Sequence, residues 1–295
     1  MMWSSCLVAV ALASPGVAAA PAPPGTGKNC LGVPRAAVVA DQALVLSANP
    51  TGPEHQVEVA TCRPLLRRPG ALFDLTNLKL GAMAVTSLAY HHQGFFAAVS
   101  PLSVLEFRAE AHGVVQWPLF VDGAGYHPRA GYRSVMSGAS MRRGDGRLAT
   151  GWNVVGKAIG RLKVAVGPVS LVATDTAGLE LWELGREPYA VNMRKDLVLA
   201  RRDVVLTNTA LFLVEAGLPA GGTVRVGAMD EVAAVPRAAY ARHRVAGVAT
   251  LGSPAVGTTL RAVQGFCALG VHTHHALRAQ QPFMVLGLSA SYLVL

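Results

Sequence analysis

Beyond residue 20 the sequence has no run of the roughly 18–20 apolar residues that a membrane-crossing helix needs, although hydrophobic residues make up 52% of its 295 positions. Helical spans are excluded, so that hydrophobicity must be distributed in another pattern. Charged residues are only 15% and aromatic residues 6%. Cysteine is scarce, with four in the chain and no Cys-x-x-Cys pair, which removes zinc ribbons and thioredoxin-like redox chemistry. Gly287, Ser289 and Ser291 do not make a Gly-x-Ser-x-Gly elbow, and no Gly-Lys-Ser/Thr phosphate loop occurs. Acidic residues are also few, 17 against 26 Lys and Arg, for a net charge of +9.

What the sequence does have begins with an export signature. Residues 1–20 read as a secretory signal peptide: Cys6 to Ala13 is its apolar core, Ser14-Pro15-Gly16 breaks it, and Val17-Ala18-Ala19 or Ala18-Ala19-Ala20 offers small residues for cleavage. No charged side chain lies in residues 1–27, so the mature chain keeps the whole positive charge. An exported basic chain rarely meets nucleic acid, which makes lipopolysaccharide phosphates or anionic solutes the better partners. Cys6 leaves with the signal, and Cys30 and Cys62 are placed to form a disulfide in an oxidising compartment. Cys267 is then left over, inside the apolar run Val263 to Val271.

The rest of the hydrophobicity alternates. The stretch Leu102 to Trp117 reads as a strand: from Leu105 on, the odd positions Leu105, Phe107, Val115 and Trp117 are apolar, and the even positions Glu106, Arg108, Glu110 and His112 are polar. A helix would mix the two sets, whereas a strand sends them to opposite faces. Leu78 to Tyr90 repeats the pattern, as does Leu148 to Val166, where Leu162 and Val164 share one face and Lys157, Arg161 and Lys163 the other. Soluble strands average about 5–6 residues, while a tilted membrane strand needs roughly 9–11. The length favours strands whose apolar row faces lipid and whose charged row faces a lumen.

Turn signals divide the chain further. His91 to Gly94 reads as a turn, residues 122–146 as a long arginine-rich surface loop, residues 185–196 as a second charged loop, and residues 252–255 as a tight turn. Residues 21–76 read as an N-terminal extension or lead-in, with a short hairpin of Ala36 to Leu46 against Gln56 to Thr61. Residues 77–295 then read as an all-β antiparallel barrel of about 10–12 strands.

This pattern, from Leu78 to Leu295, resembles the outer-membrane β-barrel proteins of Gram-negative bacteria. The resemblance is architectural and implies an outer-membrane location, lipid and lipopolysaccharide as surroundings, insertion by the outer-membrane assembly machinery, and no cofactor. It leaves the oligomeric state open. Such proteins typically end on an aromatic residue; here Phe283 and Tyr292 precede Leu293-Val294-Leu295.

Three functional classes follow. The first is a non-enzymatic barrel serving passive transport or the envelope surface, with Glu106, Arg108 and Glu110 facing Lys157, Arg161 and Lys163 across an open or filled lumen. The second is a barrel enzyme acting on lipid, of the phospholipase or lipid-A deacylase type, for which His112 with Glu110 or Ser103 are the candidates. The strand rise puts Glu110 and His112 about 7 Å apart, too far for a direct hydrogen bond. The third is a soluble exported β-sandwich. His91-His92 and His272 to His275 contain metal-ligand residue types, but without carboxylates or cysteines at matching spacing no metal site is assigned.

Overall fold

The computed structural model describes residues 29–32, 35–49, 52–66, 70, 72–73, 76–117, 148–219, 221–253, 258–275 and 278–294. The proposed signal peptide and the 122–146 loop lie outside the described residues. Fourteen strands run through the described chain. They are β1 (Ala37–Ala48), β2 (Gly52–Pro64), β3 (Asn77–Ser87), β4 (Tyr90–Leu102), β5 (Leu105–Gln116), β6 (Ala149–Val166), β7 (Val169–Leu184), β8 (Tyr189–Asn192), β9 (Leu197–Ala200), β10 (Arg202–Gly217), β11 (Thr223–Val235), β12 (Tyr240–Ser253), β13 (Leu260–His274) and β14 (Pro282–Leu293).

Twelve of them form one closed antiparallel barrel, and β8 and β9 pair only with each other. Neighbours in sequence are neighbours in the wall, except that β7 pairs directly with β10 and β1 closes the circle against β14. The closure rules out a sandwich. We call the end where β1 starts and β14 finishes the near end. The short turns at residues 103–104 and 167–168 lie there, and the β5–β6 and β7–β10 connections emerge at the far end.

The barrel starts at Ala37, not at residue 77. β1 and β2 lie inside the segment expected to be a lead-in, and each pairs with wall strands on both sides. Their outward rows are interrupted by Gln42, His55 and Thr61, which weakened the alternation on which the boundary was read. The turn expected at His91 to Gly94 is also displaced: the chain reverses at residues 88–89, and β4 begins at Tyr90, which points inward and is buried.

Curvature is made possible by small inward positions. A Cβ at Gly94 would sit 1.9 Å from the Ala111 carbonyl oxygen, and one at Gly227 the same distance from that of Phe212. Only glycine lets adjacent strands approach so closely on the concave face. At the near end a short 3₁₀ turn (Asn29–Gly32) folds back to the inner face of β2, where Cys30 and Cys62 form a disulfide across 32 residues. A loop of that length loses about 3.7 kcal/mol of stabilisation when opened, on chain-entropy grounds. Cys30→Ser/Cys62→Ser should therefore lower unfolding free energy by about 3.7 kcal/mol in detergent, with the barrel itself still forming.

Candidate functional site

The two faces of the wall differ in kind. Outward lie Leu44, Leu80, Phe95, Phe107, Trp152, Leu162, Val164, Leu179, Leu206, Phe212, Val226 and Leu288, all large, apolar and exposed. Leu105 and Val115 occupy the same outward row of β5, and Trp117 lies just past its far end with its indole N–H donating to the Leu88 carbonyl. Inward lie carboxylates, guanidinium groups and imidazoles. A soluble barrel would bury the first set and expose the second; here the order is inverted, as lipid outside and water inside require. The chain has the fold of an outer-membrane β-barrel.

No protein-family model and no curated protein matches the sequence. Among solved structures the barrel is similar to the β domain of the Bordetella autotransporter BrkA, at 12% identity and TM-score 0.45, over 87% of this chain and 99% of that one. It also matches a TodX mutant described as a monoaromatic hydrocarbon channel, at 12% identity and TM-score 0.27, over 87% of this chain and 89% of that one.

Within the barrel, period-two alternation puts Glu106, Arg108, Glu110 and His112 of β5 on the inner face beside Lys157, Arg161 and Lys163 of β6. Arg108 donates two bonds to Glu58 on β2, at 3.0 and 2.7 Å, so this pair spans strands that are not neighbours. Its Nε donates to Glu110 at 2.6 Å, and Lys157 Nζ donates to the same Glu110 oxygen at 2.6 Å. The Arg108 guanidinium also lies 4.0 Å above the Phe96 ring. Nearer the near end Arg161 pairs with Glu106 at 2.8 Å, and Lys163 and Arg225 share Glu215 at 2.5 and 2.6 Å.

His112 has no hydroxyl partner among the described residues. Its ring nitrogens contact Asn153 Oδ1 at 2.9 Å and Met83 Sδ at 3.1 Å, and Glu110 comes to 3.6 Å, closer than strand rise alone implied. Ser103 sits in the near-end turn, nine residues back and about 30 Å away by strand rise. The candidate nucleophile and base are therefore at different depths, and Ser103 is out of reach of His112. The histidine runs do not converge either: His92 and His272 point inward, His91 and His274 outward.

The feature not anticipated is the β8–β9 hairpin. Where the sequence predicts a second charged loop over residues 185–196, the chain instead forms this hairpin, which turns into the far mouth of the barrel. Ala190, Leu197 and Leu199 are fully buried against Val114, Trp182, Leu184, Val205 and Val235 of the wall. Its tip, residues 193–196, crosses the lumen. The Met193 amide donates to Gln116 on β5, Arg194 reaches Glu54 on β2 at 3.4 Å, and Lys195 donates to Glu180 on β7 at 2.5 Å. Glu54 also accepts from the Tyr90 hydroxyl. Asp196 is held by His275 at 2.9 Å and Arg278 at 2.8 Å, and Arg278 donates onward to Asn49 at 2.6 Å. A cavity of ≈ 410 Å³ remains in the lumen, lined by Glu54, Glu110, Lys157, Arg194 and Arg242 among others.

Burial works against the Asp196 carboxylate, but hydrogen bonds and charge from His275 and Arg278 outweigh it and hold its pKa well below the usual carboxylate range. A carboxyl depressed in this way stabilises the folded form above its unfolded pKa, and that contribution is lost as pH falls through the lower folded value. On Asp196's account these tip contacts are whole from about pH 5 upward. Unfolding free energy measured across a descending pH series should lose the Asp196 contribution only well below that point, and Asp196→Asn should abolish the acid step.

Proposed function

We propose that this chain is exported to the outer membrane, where it forms a barrel whose lumen is a narrow, latched passage for small charged solutes. Its far end, from which the long β5–β6 and β7–β10 connections emerge, faces outward, as barrels place long loops outside and short turns in the periplasm. The basic surface suits lipopolysaccharide phosphates as neighbours, and the assembly machinery of the outer membrane would insert it. The observation that carries the reading is the manner in which the hairpin is held.

Its base is apolar. Burying Leu197 and Leu199 contributes about 1.5–3 kcal/mol each, so the base stays fixed to the wall. The tip is held instead by ion pairs among shielded groups, with Asp196 6% and Glu180 3% exposed, so it stays closed until those pairs part together, and a latch of this kind can open without unfolding the apolar base. Mixed charges along the wall set selectivity by local sign. Planar-bilayer recordings of the purified protein test this: brief openings in the wild type that lengthen in Asp196→Asn/Arg278→Ala support it. Silence in both proteins would sink it and leave an envelope role.

The lipid-facing wall carries its own expectation. Leu44 lies near the middle of β1 and is exposed on the outer face. Leu44→Arg should cost about 2–4 kcal/mol in vesicle unfolding. Leu162→Arg, placed well past the midpoint of β6 toward its near end, should cost less.

A further inference from the structure

The outer wall holds a hydrogen-bonded chain that the lumen reading does not use. On the far half of the outer wall, β11, β12 and β13 present Asp230, His243 and Thr273 side by side on the lipid-facing surface. His243 Nε2 lies 3.1 and 3.2 Å from the two Asp230 carboxylate oxygens, and its Nδ1 lies 2.5 Å from Thr273 Oγ1. The Thr273 hydroxyl also lies 3.3 Å from the His243 carbonyl oxygen.

Two observations set this chain apart from ordinary surface polarity. First, Asp230 occupies the same outward row as Val226, and its side chain is 51% exposed. An ionisable group on the lipid side of a membrane wall is uncommon, and unlike Asp175, which accepts from the Asn208 amide, Asp230 faces an imidazole. Second, the register slips at this point: His243 pairs with His274 and Arg244 with His272, so Thr273 has no partner in the β12–β13 register among the described residues. A bulge of this kind re-aims a side chain and leaves its extra residue out of the ladder. Here it brings the Thr273 hydroxyl onto the imidazole.

We propose that Asp230, His243 and Thr273 form a hydrolytic site on the outer face of the barrel, with the long-chain carboxylic esters of membrane lipids as substrate. The arrangement has the roles of an acyl-transfer triad: a hydroxyl nucleophile, an imidazole base and a carboxylate that orients the imidazole. Thr273 Oγ attacks the ester carbonyl while His243 takes its proton, and the tetrahedral adduct expels the lipid alcohol, which receives that proton. Water, deprotonated by His243, then cleaves the acyl-threonine, releasing the fatty acid and restoring Thr273. Leu269 and Val271, exposed on the same face just below the site, give the acyl chain an apolar track.

The test uses the purified full-length barrel in mixed micelles of phosphatidylethanolamine, and separately with lipopolysaccharide micelles, reading free fatty acid. Release from either substrate above protein-free micelles is expected, and the one that reacts identifies the source of the ester. His243→Ala and Thr273→Val should reduce release at least about a hundredfold, the scale of losing a general base or nucleophile, while Thr273→Ser keeps it. Thr273→Val preserves the β-branched shape, and unheated gel mobility verifies that each variant is folded. Asp175→Asn, an outer-wall carboxylate that binds Asn208 at 2.8 Å, should leave release unchanged. No release from either lipid, or equal release by folded Thr273→Val, overturns the proposal.

Discussion

Excising residues 186–201, with a short Gly-Ser link joining Gly185 to Arg202, is expected on the proposed latch to leave the barrel steadily open. The splice is geometrically available because Glu183 and Arg202 already face each other in the β7–β10 ladder. The wall loses none of its strands, since β8 and β9 pair only with each other. What is removed is the segment that crosses the far mouth and carries Arg194, Lys195 and Asp196 to Glu54, Glu180 and Arg278. Unitary conductance in planar bilayers should rise several-fold, with ion preference then governed by the charges that remain on the wall. The excision uncovers Trp182, Val205 and Val235 in the lumen, so some loss of thermal stability accompanies it. If the excised barrel stays closed, the obstruction is the cross-lumen pair of Arg108 with Glu58, and the hairpin is packing.

The second large effect concerns Glu110. Its side chain is 1% exposed and accepts from both Arg108 and Lys157. Glu110→Gln keeps the shape and removes the charge, leaving Lys157 without its carboxylate in a poorly solvated place. Breaking a buried ion pair from one side typically costs about 3–5 kcal/mol. The lower end, about 3 kcal/mol, is expected here, because Arg108 retains Glu58 and the Lys157 side chain is 29% exposed to the lumen. Chemical unfolding in detergent measures this. Glu110→Gln/Lys157→Met should recover much of the loss, since removing both partners removes the stranded charge.

The wall strands with the longest uninterrupted alternation were legible from the sequence. Leu105 to Trp117 and Leu148 to Val166 carry their own evidence, because each residue's face follows from its parity alone. Parity breaks down where polar residues enter the outward row, as Gln42, His55 and Thr61 do in β1 and β2, and those strands were assigned to a lead-in. The hairpin was missed for a different reason. Tyr189-Ala-Val-Asn192 and Leu197-Val-Leu-Ala200 are each four residues long, too short for a period to register. Their signal is two apolar runs around the polar tip Met193 to Asp196. Nothing local shows that such a hairpin turns into the lumen, because its partners Glu54, Glu180 and Arg278 lie far away in sequence. The Asp230, His243 and Thr273 chain was hidden likewise, since only the wall and its bulge bring three separate strands into register.

The pairing of β1 with β14 joins residues some 250 positions apart: Gln42 donates to the Tyr292 hydroxyl at 2.6 Å, and Ser291 donates to Asp41 at 2.5 Å. Every other wall ladder can form between segments much closer along the chain, so this one has the largest loop-closure entropy to overcome and belongs late in folding. Until it forms, the sheet has two raw edges with unpaired amides and carbonyls, each a template for a foreign strand. Losing the last dozen residues would thus do more than shorten the barrel: it would leave it permanently unzipped, with two sticky edges inviting aggregation.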